Sequence, residues 1–222
     1  NTKVVAASVR CLAEVARRNR ANQDTIASMG GLRPIVELLQ SGSHPEVVQA
    51  NAALAITEIC RLNTENQNAV AEIGGIGQLV VLLRHSGKES VEGEVAGAMW
   101  TMSVGNTPIK KSIAAAGAID TLCKLLNAQS EKSQLHSVNA LASLALELPE
   151  NQVLMAPRLV ELLGNPNEGT QKRAAKALWR IVKENGNDAA TIAKAGGAEQ
   201  LVRLLRDGST GAKKYSLWAL SL

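Results

Sequence analysis

Five times along this chain, a short stretch closed by small residues leads into a Leu-Leu pair and then into an alanine-rich helix. No other feature constrains the fold as much. Gln23 to Gly31 precedes Leu38-Leu39, Ala69 to Gly75 precedes Leu82-Leu83, Ile113 to Ile119 precedes Leu125-Leu126, and Ile192 to Gly197 precedes Leu204-Leu205. A degenerate copy ends at Leu162-Leu163. The pairs lie 44, 43, 37 and 42 residues apart, a period that belongs to helical solenoids with two or three helices per unit. Such a stack exists to present an extended surface. The chain reads as one all-α solenoid over 1–222. A partial repeat at 1–20 precedes repeats at 21–63, 64–105 and 106–148, an irregular repeat at 149–186 and a partial repeat at 187–222.

Composition agrees with helices and argues against strands. Hydrophobic residues make up 45%, yet Phe is absent and only Trp100, Trp179, Tyr215 and Trp218 are aromatic. The core must be Ala, Leu, Ile and Val at close helix spacing, and no apolar/polar alternation is sustained. No apolar run is long enough to span a bilayer. The chain begins at Asn1 without an initiator methionine and stops at Leu222 in mid-helix, so it reads as an excerpt of a longer protein. Cys11, Cys60 and Cys123 fall in different repeats at small-residue positions. Buried thiols are expected rather than a disulfide framework, which places the protein inside the cell, in the cytoplasm or the nucleus.

Each unit reads as three helices. The first is short, as at Asn22 to Met29, and ends at a glycine pair suited to a helix C-terminus. The second, Leu32 to Gln40, carries one buried stripe of Leu32, Ile35, Val36 and Leu39. The third is longer and alanine-rich, and spans 3–19, 45–62, 89–105, 131–148, 168–185 and 211–222. Ser43 to Glu46 is expected to open one of these as a capping box, and Asn165 to Glu168 another. In the fourth unit Asn151 to Leu163 covers 13 residues where Asn22 to Leu39 covers 18. Its short first helix should be collapsed and the superhelical twist altered near Pro149 to Pro157. That irregularity is either tolerated or functional.

Catalytic readings find no support. His44, His85 and His136 lie in different tiers, the first two in expected loops, with no carboxylate or cysteine at ligand spacing. Gly74 to Gly77 superficially resembles a phosphate loop, but it follows a helix and lacks the rest of that fingerprint. No enzyme, metal or cofactor is indicated. Net charge is +4, distributed unevenly: residues 158–222 carry 11 Lys and Arg against 6 Asp and Glu, the remainder 13 against 14. RNA-binding repeats need stacking and base-reading side chains on every tier. Here only three helices carry Trp, so nucleic acid is disfavoured.

Ser216-Leu217-Trp218-Ala219-Leu220-Ser221 resembles the third helix of armadillo repeats, and Ala27 to Leu39 is similar to that family's glycine-punctuated second-helix motif. The resemblance covers essentially the whole chain. It implies a right-handed α-α superhelix with three helices per repeat, whose third helices line a concave groove that in many members holds an extended peptide or partner segment. The family's groove positions fall here on Arg10, Ala13 and Glu14, then on Leu54, Thr57 and Glu58, and then on Gly97, Trp100 and Thr101. Further along they fall on Asn139, Ala142 and Ser143, on Lys176, Trp179 and Arg180, and on Trp218, Ser221 and Leu222. Only Trp218 keeps the family Trp, and no helix keeps the Asn that holds basic nuclear-localisation peptides in importin-α-like members.

Met99 and Leu178 already occupy the family's buried leucine position, so Trp100 and Trp179 either reach the groove rim or fill gaps between helices. Lys176, Trp179, Arg180 and Lys183 share one helix face, with Lys213, Lys214 and Trp218 one helix further on. This combination suits an acidic partner segment with an apolar or aromatic anchor, while Glu14 and Glu58 would favour a positive residue at the other end. The expected function is a non-catalytic scaffold for a protein or peptide. The alternative is a structural or regulatory solenoid whose groove holds its own flanking segment or another subunit. Val4, Val5, Leu217 and Leu220 should leave the ends apolar and open to self-association.

Overall fold

The computed structural model describes residues 1–185 and 189–221; the repeat boundary expected at 186–187 and the groove position at Leu222 fall outside them. Every regular element among the described residues is an α-helix. The chain divides into two compact units, Asn1–Ala118 and Ile119–Leu222.

The first unit holds α1 (Thr2–Ala16), α2 (Arg20–Ser28), α3 (Leu32–Glu37), α4 (Glu46–Ile59), α5 (Thr64–Glu72), α6 (Gly75–His85), α7 (Glu89–Ser103) and α8 (Thr107–Ala115). A long helix followed by two shorter ones recurs, and the second of these is intermediate in length in the α4–α6 repeat. The long helix α4 packs against α1 on one side and α7 on the other. Ala52, Ala53, Ala55, Ala96 and Ala98 are fully buried along these contacts, and their small side chains let the backbones approach. The expected stripe on α3 is buried as well.

Each long helix of this unit ends two or three residues before the expected point, and a residue with a left-handed φ follows two or three residues later: Arg18 (54°), Leu62 (53°) and Gly105 (69°). The next residue is an asparagine. The side chains of Asn19, Asn63 and Asn106 accept from the backbone N–H groups of Asn22, Asn66 and Ile109 at 3.1, 3.1 and 3.3 Å, capping α2, α5 and α8. Each such cap is worth ~1 kcal/mol. Buried amides then stitch successive repeats together. Gln23 Nε2 donates to the Glu58 carbonyl at 2.9 Å, and Asn63 Nδ2 donates to Gln23 Oε1 at 3.1 Å. One repeat on, Gln67 Nε2 donates to the Thr101 carbonyl at 3.0 Å and Asn106 Nδ2 to Gln67 Oε1 at 3.1 Å.

The glycine pair between short and intermediate helices serves two separate needs. Gly74 has a φ of 83°, where L side chains are strained. A Cβ on Gly75 would sit 2.5 Å from Val70 Cγ1 and 2.8 Å from the Val70 carbonyl oxygen, so the second glycine is a steric requirement of the tight α5–α6 corner.

The second unit holds α9 (Ala118–Leu125, which begins at the junction), α10 (Glu131–Ala145), α11 (Pro149–Leu163), α12 (Glu168–Asn185), α13 (Ala189–Lys194), α14 (Gly197–Asp207) and α15 (Thr210–Leu220). Where the glycine pair is missing, short and intermediate helices are not separate: α11 is one continuous helix, with Pro157 inside it on the exposed side. Without a left-handed residue to turn the chain, the helix runs on. The first helix is therefore fused rather than collapsed. The neighbouring pair α10 and α12 share a smaller contact than α1 with α4, α4 with α7, or α12 with α15.

Other local expectations need correction. No side chain caps α4: Pro45 occupies the N-cap position, and Glu46 pairs instead with Lys88 at 3.1 Å. Before α12 the capping oxygen is that of Asn167, which accepts from Thr170 N at 3.0 Å, while Asn165 accepts from Asn167 N. His85 ends α6 rather than lying in a loop. Cys60 and Cys123 are buried, and burial pushes the Cys123 thiol up to about 12. Cys11 is exposed. Its counterpart one repeat on, Ala55, is fully buried, because α4 has a long helix on each side and α1 has only one.

Candidate functional site

On the long helices of the second unit, α12 and α15 lie side by side and bring three aromatic rings together. Leu178 is fully buried, so Trp179, one residue later, is carried outward and only half-buried. Its ring lies 5.0 Å from that of Trp218 and 5.7 Å from that of Tyr215, while Tyr215 and Trp218 meet edge to face at 5.5 Å. These spacings are those at which aromatic pairs attract. Trp218 remains 37% exposed, so the cluster is a surface feature. Tyr215 escapes the sequence reading although the signal is present. It precedes Trp218 by three residues and therefore shares its helix face.

Lysines surround the rings. Lys214 Nζ lies 4.4 Å from the centre of the Trp218 ring, Lys183 Nζ 5.1 Å from that of Trp179, and Lys176 Nζ 6.0 Å from that of Tyr215. Cation–π contacts of this kind contribute about 0.5–1 kcal/mol at exposed sites. Among the described residues no carboxylate forms an ion pair with Lys172, Lys176, Lys183 or Lys214. Partial burial, then the nearby charges of Arg180 and Lys172, hold the Lys176 ammonium below the ordinary lysine range. Arg180 donates to Asn139 Oδ1, tying α12 to α10. Next to Tyr215, a depression of about 320 Å³ opens between α10, α12 and α15, with Leu135, Lys172, Arg173 and Lys176 in its walls.

The groove positions in the first unit are arranged otherwise. Arg10 donates to Glu14 at 3.0 Å and Arg17 to the same carboxylate at 3.2 Å. Glu58, only 6% exposed, accepts two bonds from Arg61 at 3.0 and 3.2 Å, with Arg17 at 4.0 Å. Both acids are thus engaged by the chain's own arginines. Leu54 and Thr101 are buried, as is Ser143 in the second unit; Trp100, above the fully buried Met99, is half-buried. The structure brings Lys176, Trp179, Arg180, Lys183 and Trp218 to one surface.

Among the described residues no group of three or more His, Cys, Asp or Glu side chains could hold a metal, and no helix is long and apolar enough to cross a membrane. What α12 and α15 offer is a charged, partly aromatic surface. Fold and surface together define a helical-repeat scaffold. The armadillo/β-catenin-like repeat matches residues 19–61. An engineered protein of known structure is 30% identical, with a TM-score of 0.80 over 100% of this chain and 90% of its own. A designed armadillo repeat protein is 26% identical with a TM-score of 0.76, covering 100% of this chain and 94% of its own. Another, solved in complex with the peptide (KR)4, is 27% identical with a TM-score of 0.76, covering 97% and 91%. No curated protein sequence matches. The chain belongs to the armadillo-repeat family.

Proposed function

We propose that the chain is a non-catalytic scaffold that holds an extended partner segment along its long helices, with the main anchorage on α12 and α15. The observation that carries this reading is the partly exposed Trp179–Tyr215–Trp218 cluster set among lysines that no described carboxylate pairs. Trp and Arg are the residues that most often anchor interfaces. A surface of this charge takes an acidic segment, and the rings take an apolar or aromatic residue of that segment. The designed relative solved with (KR)4 was paired with a basic peptide; the charge on α12 and α15 calls for the opposite sign. Long-range attraction would steer encounter and make binding salt-dependent, while burial of the Trp face would supply more of the affinity.

The test is to titrate an acidic peptide bearing one Trp against the chain and against Trp179→Ala and Arg180→Glu, each alone. Loss of an anchor worth about 2 kcal/mol weakens binding roughly thirtyfold, with the melting temperature unchanged. Should Trp179→Ala chiefly lower the melting temperature and Arg180→Glu leave binding intact, the rings are core and the assignment is wrong. A second reading concerns the exposed Val4 and Val5 on α1 and Leu217 and Leu220 on α15. These suit association between copies, which sedimentation over a range of concentrations would reveal.

A further inference from the structure

The fusion of two helices into α11 coincides with a change at the surface. Five residues are missing from this repeat relative to Asn22–Leu39, and α11, which packs on both α10 and α12, carries no glycine corner. The looser α10–α12 pairing leaves the depression of about 320 Å³ beside Tyr215. Lys172 and Lys176, one helical turn apart on α12, point along one wall of it. The Lys172 stem lies across the start of α15, where a Cβ on Gly211 would come within 2.7 Å of Lys172 Cδ. Arg173, in the same wall, donates to the Leu126 carbonyl and to Thr170 Oγ1. Glu131 is the one acidic side chain in the lining.

We propose that this depression binds a phosphorylated side chain of the partner segment, with Lys172 and Lys176 as its counter-charges and the Trp179–Trp218 pair holding an apolar residue of the same segment. The inference rests on the acidic-segment reading above and sharpens it. A single carboxylate brings one charge and two acceptor oxygens, whereas a phosphoryl group brings about −1.5 to −2 and three acceptors. Three cations around one concavity, opposed by one carboxylate, match the second ligand better. Crowding by Lys172 and Arg180, after burial, already disfavours the charged form of Lys176; a dianion would relieve that repulsion. A quaternary ammonium ligand, the usual guest of aromatic clusters, is excluded here because lysines occupy the ring faces.

Fluorescence anisotropy with a labelled acidic peptide carrying one Ser and a nearby Trp, in phosphorylated and unphosphorylated forms, tests the proposal on the full chain and on Lys172→Gln and Lys176→Gln. The phosphorylated peptide should bind roughly tenfold more tightly, as charge-assisted contacts allow. That advantage should vanish in both lysine variants, while Trp179→Ala weakens the two forms alike. Equal binding of the two forms overturns the phosphate site and leaves the acidic-segment reading standing. Binding of neither form overturns both. Competition by a single-stranded RNA that outmatches the phosphopeptide would make this surface a nucleic-acid site and overturn both as well. Unchanged circular dichroism of the lysine variants shows that the loss is not unfolding.

Discussion

Two sets of groove-position residues carry opposite electrostatic solutions. In the first unit Glu14 and Glu58 are met by Arg10, Arg17 and Arg61, and each carboxylate has a guanidinium within 4.0 Å. In the second unit Lys172, Lys176, Lys183 and Lys214 rest on aromatic rings or line a depression, with no ion pair to a described carboxylate. A charge that is already paired contributes to the fold and has little left for a partner. An unpaired cluster costs some stability and keeps its field for something that arrives. Charge counting along the sequence cannot separate these cases, because pairing depends on which side chains face each other.

The largest effect that tests this contrast is on stability in the first unit. Glu58→Ala leaves Arg61 without its buried acceptor, and unfolding should become easier by about 2 kcal/mol, the worth of hydrogen bonds to a charged group. A denaturant midpoint equal to that of the parent would show that the network is ornamental. Binding of an acidic peptide should not change in this variant.

A smaller effect is expected where the second unit is altered. Lys176→Met keeps the apolar stem and removes the crowded charge. Stability should stay within about 0.5 kcal/mol of the parent, on the higher side, while acidic-peptide affinity falls. Because the folded-state pKa of Lys176 is lowered, its penalty is present at neutral pH and disappears as pH rises into the lysine range. The variant's advantage should therefore shrink in alkaline melts. A variant that is clearly less stable would mean that the ammonium has a structural partner. Salt should separate the two regions further: at physiological ionic strength the screening length is about 8 Å, so peptide binding should weaken with added salt more than melting does.

The smallest effect involves Asp24, whose carboxyl is held below the usual range, first by the hydrogen bond from Asn63 and then by that from Arg20. A lowered carboxylate pKa contributes stability that is present above the ordinary value and is lost as pH falls through the folded-state value. Asp24→Asn should thus be slightly less stable than the parent at neutral pH and show a flatter acid limb, the two converging at low pH. A difference that persists in acid, below the folded-state value, would place the effect elsewhere.

Much of the fold was legible in the sequence. The Leu-Leu period, the glycine pairs and the alanine runs suffice for an all-helical armadillo-type repeat, because each is a local rule that this chain obeys. The asparagine caps at Asn19, Asn63 and Asn106 are equally local, but none has a Glu or Gln three residues on, so they lack the capping-box pattern. Of the candidate surface, spacing alone placed Lys176, Trp179, Arg180 and Lys183 on one face. Burial of the adjacent Leu178 turned Trp179 outward.

By itself, then, the sequence determined which helices form and which face of each is apolar, since both follow from periodicities of a few residues. Only the tertiary structure decided that Glu14 and Glu58 are neutralised by arginines, and that Tyr215 joins Trp179 and Trp218. The depression beside Tyr215, between α10, α12 and α15, was likewise a tertiary outcome. The reason is that each depends on the distance between side chains on different helices. Packing fixes that distance: a five-residue deletion can change it, and no pattern along a single helix records it.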